Sequence, residues 1–168
     1  LLFRRVTVFI IAPSRLLMAR FDPHSSLEEG LRNLLIQKGI PEDIPLPPDI
    51  PVKWERFDDV LILPASAFVD EFWSCVSESS LWVCVATSLG AKRVFRKGEV
   101  DGPMRKPKIE ALLMGSRGSW TVRRENGIQY GYDILQCMWS AGNVKERRRM
   151  YEIAKKGERI LDMFAGIG

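Results

Sequence analysis

Apolar positions recur along this chain with two periods, and the changes of period mark its elements. Leu27, Leu31, Leu34 and Leu35 fall at helical spacing. Ser26 with Glu29 three residues on forms a capping box at the start of that helix, and Gly39 stands where it should close. Pro41, Pro45, Pro47, Pro48 and Pro51 follow, a density that neither a helix nor a ladder accepts. Residues 59–63 are a short apolar run ended by Pro64, hence a strand, while residues 67–76 and 81–89 read as short serine-capped helices, the second closed by Gly90. Further strands are expected at 93–95, 111–114 and 120–123. Asn126-Gly127 accepts the positive φ of a tight hairpin turn, which makes residues 128–138 the returning strand. Asn143 then caps a helix over 144–156, with Glu146 as box partner, Met150, Ile153 and Ala154 as buried stripe, and Arg147, Arg148 and Arg149 fanning over different faces.

Residues 158–168 read as a short buried strand, interrupted by Asp162, that runs into Gly166-Ile167-Gly168. Glycines at such a turn leave no Cβ between backbone and ligand, which points to a nucleotide-type cofactor. The helix that completes such a unit would follow Gly168, and the first methionine is Met18, so the chain reads as a fragment. Three parts are expected: residues 1–51, an N-terminal segment with a helix and a proline-rich linker; residues 52–156, an α/β middle region with hairpin and helix; and residues 157–168, the first strand and glycine-rich turn of a Rossmann-like domain. The fold class is α/β, a mixed α/β substrate-side region followed by the start of that Rossmann-like domain, truncated. At the other end, residues 6–14 are apolar but far short of the roughly 20 residues a spanning helix needs, and Arg4, Arg5, Arg15 and Arg20 interrupt their surroundings. A buried strand is expected there, with no membrane partner.

Hydrophobic residues make up 46% of the chain and charged ones 27%, an ordinary globular balance. The net charge of +4 conceals an asymmetry: residues 1–91 hold 8 basic and 12 acidic side chains, and residues 92–159 hold 17 and 8. The basic half suits a polyanion such as RNA or, equally, a solvated surface. Cys75, Cys84 and Cys137 show no Cys-x-x-Cys spacing, which argues against a disulfide framework or zinc ribbon and for a reducing compartment. A single histidine, His24, makes a histidine-rich metal site or a Ser-His-Asp arrangement improbable, and no metal is expected.

Four motifs occur in an order that periodicity does not supply: Arg105-x-Pro107, Glu125-Asn126-Gly127-Ile128-x-Tyr130, Met138-Trp139-Ser140-x-Gly142-Asn143-x-x-Glu146-Arg147, and Asp162-x-Phe164-Ala165-Gly166-Ile167-Gly168. From about residue 52 onward the chain resembles the tRNA wybutosine-synthesizing protein 2 family, aminocarboxypropyl transferases related to the tRNA guanine-37 N1-methyltransferases. Ser140-Ala141-Gly142-Asn143 looks like the transferase branch, where the methyltransferase branch tends to carry an arginine-containing stretch. The resemblance implies transfer of the 3-amino-3-carboxypropyl group of S-adenosylmethionine to C7 of 4-demethylwyosine at position 37 of tRNA-Phe, with the anticodon region as partner and the cytoplasm as location. It also implies cofactor contacts by Ser140, Arg147, Asp162, Phe164, Ala165, Gly166 and Gly168, while no general base can be named.

Arg105, Lys106 and Lys108 around Pro107 form a rigid basic loop, either a phosphate contact or a surface turn. Trp120, Tyr130, Tyr132 and Trp139 are either stacking surfaces for a splayed base or core. The rival readings are a guanine-37 N1-methyltransferase and a truncated, non-catalytic tRNA-binding fragment; either way the 168 residues alone are expected to be inactive.

Overall fold

The computed structural model describes residues 22–101 and 106–159. The strand expected at 6–14, Arg105, and the turn from Asp162 to Gly168 lie outside the described residues.

The first helix, α1 (Pro23–Gln37), starts earlier than the capping box implies. Its cap is Asp22, whose carboxylate accepts from the His24 N–H at 3.2 Å and the Ser25 hydroxyl at 2.6 Å. Pro23 takes the first helical position, where an N–H would lack an intrahelical partner anyway. Ser26 is not the cap; its hydroxyl donates to the Ser88 carbonyl at 3.1 Å on the next helix, α2 (Glu78–Ser88). Gly39 does close α1, at φ 81°. Gly30 sets how closely α1 approaches α2, because a Cβ there would lie 2.1 Å from Ser88 Oγ.

Four strands form one sheet in the order β1 (Glu55–Phe57), β2 (Val60–Leu63), β3 (Arg93–Asp101), β4 (Lys106–Leu113). β2 and β3 are parallel and the outer pairings antiparallel, so α2 serves as the crossover that parallel neighbours require. All four β2 residues are buried. Leu61 and Leu63 join Val94 and the leucines of α1 in one core, and Val60 and Ile62 join Phe95 in a second core on the opposite face. That two-sided burial explains an apolar run without alternation. The proline segment therefore runs between elements that share a core: α1 packs against α2 while β1 begins just beyond.

Residues 67–76 do not form the expected helix; only a 3-10 turn, Glu71–Cys75, is present. The Asp49 carboxylate accepts from the N–H groups of Val69 and Asp70 at 2.6 and 2.8 Å and from the Trp73 indole at 3.0 Å, tying this stretch to the proline segment. Phe68 sits at φ 55°, uncommon for a bulky residue, with its ring against Trp73 and Trp82 at 5.0 and 5.6 Å.

β3 and β4 run longer than their apolar residues suggest, because their outer ends are a polar two-stranded arm with a register shift between Lys97 and Val100. The hairpin β5 (Trp120–Glu125) and β6 (Ile128–Asp133) turns at Asn126 and Gly127, with φ 51° and 80°, as expected. β6 stops five residues short of its expected end. Asp133 accepts the Leu135 N–H on its carboxylate at 2.9 Å and the Gln136 and Cys137 N–H groups on its carbonyl, which turns the chain under the sheet. Tyr132 and Ile134 are buried there against Val60, Ile62 and Phe95.

Arg93, fully buried, fastens the hairpin to the sheet. It donates to the Asp59 carboxylate at 2.5 and 3.3 Å and to the carbonyls of Gly118 and Trp120 at 2.9 and 2.6 Å. Burial works against the charge of Asp59, but the hydrogen bonds and positive charge of Arg93 outweigh it and hold that carboxyl below its usual range.

The last described helix, α3 (Val144–Ile153), follows a 3-10 turn at Ala141–Asn143. The expected cap is not made: the Asn143 side chain bonds no backbone N–H, and Glu146 pairs with Arg149 at 2.5 Å. The expected buried stripe is also absent, since α3 buries no residue and Ile153 is 52% exposed. No helix among the described residues is long and apolar enough to cross a membrane.

Candidate functional site

The hairpin and the start of α3 meet at one side chain. Arg147, in the first turns of α3, reaches back to the end of β5, where Nε and Nη2 donate to the two oxygens of Glu125 at 2.6 and 2.9 Å. Its Nη1 donates to the Ser140 carbonyl at 3.0 Å. Both partners are largely withdrawn from solvent, at 8% and 12% exposure. The Arg147 hydrogen bonds, and secondarily its charge, pull the Glu125 carboxyl down against the opposing effect of burial, and the same bonds raise Arg147. The first residue of segment 140–143 is thus held through its carbonyl by a guanidinium whose other donors grip Glu125.

Trp139 fills the space beneath that fork. The Arg147 guanidinium lies 4.2 Å from the centre of its ring and that of Arg123 4.9 Å. Tyr132 stacks at 5.8 Å with an interplanar angle of 16°, and Tyr130 meets the ring edge-on at 5.1 Å. Arg123 also lies over Phe57, 5.1 Å from its centre. Burial raises the Tyr132 hydroxyl, with the charge of Arg123 opposing.

Of the residues singled out from the sequence, Ser140 and Arg147 are brought together, though through the Ser140 carbonyl. The Ser140 side chain does not cap the 3-10 turn that follows it. Lys106 opens β4 opposite Asp101, and Lys108 is exposed on the same strand, in the sheet's outer arm and not on a separate loop. The four aromatics divide: Tyr132 is buried, Trp139 and Tyr130 are partly buried, and Trp120 is 53% exposed. Sequence reasoning did not single out Glu125, Arg123 or the Asp59–Arg93 pair. Glu125 was in view as the residue before Asn-Gly and as the first of a family motif, but not as a partner of Arg147, which lies 22 positions away, beyond any local spacing rule.

The donors here fit the carboxylate end of an amino-acid-bearing cofactor. Asn143 does not satisfy the first N–H groups of α3, and a Cβ on Gly142 would meet nothing within 4 Å, so the approach to the loop is open. Arg147 is differently placed: three of its five N–H donors are committed within the protein, which suits it to holding the loop.

Residues 31–118 match the family model described as the TYW2 N-terminal domain, and residues 121–168 match the TRM5/TYW2 methyltransferase domain. Of the two carbonyls gripped by Arg93, that of Gly118 ends the first match and that of Trp120 lies in the gap before the second. The chain is 42% identical over 134 residues to the tRNA(Phe) (4-demethylwyosine(37)-C(7)) aminocarboxypropyltransferase of Pyrococcus horikoshii, covering 80% of this chain and 45% of that protein. It is 39% identical over 147 residues to tRNA wybutosine-synthesizing protein 2/3/4 of Arabidopsis thaliana, covering 88% of this chain and 14% of that one. Among solved structures, P. horikoshii TYW2 in complex with MeSAdo superposes with a TM-score of 0.52 at 32% identity, over 79% of this chain and 41% of that one. An aTrm5 in complex with tRNALeu gives 0.50 at 24% identity, over 88% and 42%, a likeness of fold alone. The chain spans 14% of the Arabidopsis relative and 45% of the Pyrococcus one.

Proposed function

This chain belongs to the tRNA wybutosine-synthesizing protein 2 (TYW2) family, and from that membership we propose that the protein transfers the 3-amino-3-carboxypropyl group of S-adenosylmethionine to C7 of 4-demethylwyosine at position 37 of cytoplasmic tRNA-Phe. The observation that carries the reading is the TYW2-specific match over residues 31–118, joined to a loop, Ser140-Ala141-Gly142-Asn143, that Arg147 and Glu125 hold in place.

When bound, the cofactor would supply an electrophilic carbon on its sulfonium sulfur: the bond to C7 would form as that carbon–sulfur bond breaks, with methylthioadenosine as the leaving group and the C7 proton released to solvent. Which carbon faces the base decides the product, so the protein's task is orientation. The Ser140 hydroxyl and the open N-terminus of α3 hold the amino-acid carboxylate, and Arg147 acts as a positioning residue by gripping the Ser140 carbonyl. Residues 157–168 begin the cofactor domain, where Asp162, Phe164, Ala165, Gly166 and Gly168 bring backbone close to the ligand. Arg105, Lys106 and Lys108 contact phosphates of the anticodon region, the two lysines from β4.

The test uses the full-length protein, precursor tRNA and S-adenosylmethionine labelled on either the methyl or the carboxyl carbon. Carboxyl label alone in the tRNA is the expected result. Methyl label alone would make the protein a guanine-37 N1-methyltransferase, and no label with salt-dependent tRNA binding would make it a binding module.

A further inference from the structure

The two faces of the β5–β6 hairpin are used differently. Residues directly opposite one another share a face, so Thr121 with Tyr132 and Arg123 with Tyr130 make the inner one, which packs against Trp139 and Phe57. The outer face carries Trp120 opposite Asp133, Val122 opposite Gly131, and Arg124 opposite Gln129. Trp120, Arg124 and Gln129 are all exposed there.

Gly131 explains how a large ring lies on that face. A Cβ at Gly131 would stand 2.7, 3.5 and 3.6 Å from Cζ2, Cε2 and Cη2 of Trp120, so the six-membered ring crosses to the neighbouring strand and rests on bare backbone. Covering a strand glycine with a cross-strand aromatic is a structural device in its own right. Here it also leaves 53% of the tryptophan in solvent, with the indole carried on a rigid, paired strand.

Charge decides what such a surface accepts. Arg124 stands four residues along the same strand, about 13 Å from Trp120 at ordinary strand rise. Its guanidinium makes no hydrogen bond or ion pair among the described residues, whereas Arg123 and Arg147 on the inner side are engaged with rings and with Glu125. The acidic member of the outer face, Asp133, accepts the Leu135 N–H at 2.9 Å. Besides Trp120, the larger apolar side chain on this face is Val122, itself only partly exposed, so an apolar partner would bury little here. A single-stranded polyanion would gain both stacking on the indole and a phosphate on the guanidinium. Residues 92–159, with 17 basic and 8 acidic side chains, supply the matching field.

We propose that the outer face of the hairpin binds tRNA, with one unpaired base stacked on Trp120 and a phosphate of the same strand on Arg124. Because Trp139 and Arg147 pack on the inner side, this base is a different one from the base that is modified. The inference rests on tRNA being the substrate.

The test measures the affinity of the full-length protein for transcribed tRNA-Phe by fluorescence anisotropy, beside its thermal midpoint, its oligomeric state and its affinity for S-adenosylmethionine. Trp120→Ala should weaken tRNA binding about 5- to 100-fold and leave cofactor affinity unchanged. Trp120→Tyr, which keeps a stacking ring, should restore binding to within about threefold of the parent protein. Arg124→Gln should lower the slope of log affinity against log salt by about 1. Unchanged affinity in Trp120→Ala, a loss that Trp120→Tyr does not restore, or an unchanged slope in Arg124→Gln would each overturn the inference. A lowered midpoint or altered oligomeric state in Trp120→Ala with tRNA affinity intact would also overturn it, and would assign the ring to another part of the protein or to a second copy. An absence of tRNA binding by the parent protein would overturn it too. The labelled-cofactor assay decides the functional reading separately: methyl transfer to the same tRNA would replace that reading and leave this surface in place.

Discussion

Arg147 and Glu125 face each other through two near-parallel hydrogen bonds of 2.6 and 2.9 Å, and this fork joins the tip of the β5–β6 hairpin to a helix that otherwise buries nothing. With Nη1 on the Ser140 carbonyl, one side chain sets three elements at once. The orientation of α3 therefore depends on a single planar contact.

A lysine cannot reproduce that contact, since it lacks the fork and the reach to two partners. Arg147→Lys should destabilise the chain by about 1–3 kcal/mol in urea unfolding and accelerate hydrogen exchange through α3. Unchanged exchange in α3 would show that another contact positions the helix.

Acid should undo the two buried pairs. Glu125 and Asp59 are both depressed in the folded protein. Their contributions are complete above the unfolded carboxylate range near about 4 and disappear as pH falls through the lower folded values. Unfolding midpoints measured from pH 7 to pH 3 should fall, and Glu125→Gln should be less stable at pH 7 but flatter with pH. An equally steep profile in Glu125→Gln would exclude that carboxyl as a source.

Arg93→Met should cost about 3–5 kcal/mol, because it leaves the Asp59 carboxylate with neither of its two bonds from Arg93. The double variant Asp59→Asn, Arg93→Met should lose less than the sum of the single changes. Strict additivity in denaturation would mean that the pair does not act as a unit.

Two glycines should respond differently to the same methyl group. At Gly98 an added Cβ would stand 2.9 Å from the Lys108 carbonyl oxygen, in backbone that cannot step aside. At Gly131 it would meet Trp120 Cζ2 at 2.7 Å, on a half-exposed ring free to swing. Gly98→Ala should cost about 1–3 kcal/mol and Gly131→Ala less than about 0.5 kcal/mol, read from thermal unfolding. Reversed sensitivities would mean that the β3–β4 arm yields more readily than its register suggests.

Ser140→Ala tests the open edge of the loop. In the full-length protein it should weaken S-adenosylmethionine binding about 2- to 10-fold by calorimetry, with folding stability within about 0.5 kcal/mol. Equal affinity would remove the hydroxyl from the cofactor's contacts.

Local chemistry was legible in the sequence. The leucines of α1, the close at Gly39, the apolar β2 run and the Asn126-Gly127 turn each depend on neighbours a few positions away, and each appears where expected. The misreadings have long-range causes. Ser26 was drawn from the cap by Ser88, the 67–76 stretch was tied down by Asp49, and β6 was turned by Asp133. The supposed stripe of α3 finds no core among the described residues.

What the sequence determined by itself was the α/β class, the basic half of the chain and the motifs that mark its family, because residue type and short spacing suffice for those. Tertiary structure alone decided that Glu125 would meet Arg147, that Arg93 would fasten the start of the hairpin to the sheet, and that Trp139 would be left with an unanswered N–H. Those outcomes follow from charged and aromatic side chains finding partners tens of residues away as apolar burial closes the sheet, and no local rule encodes which partner that will be.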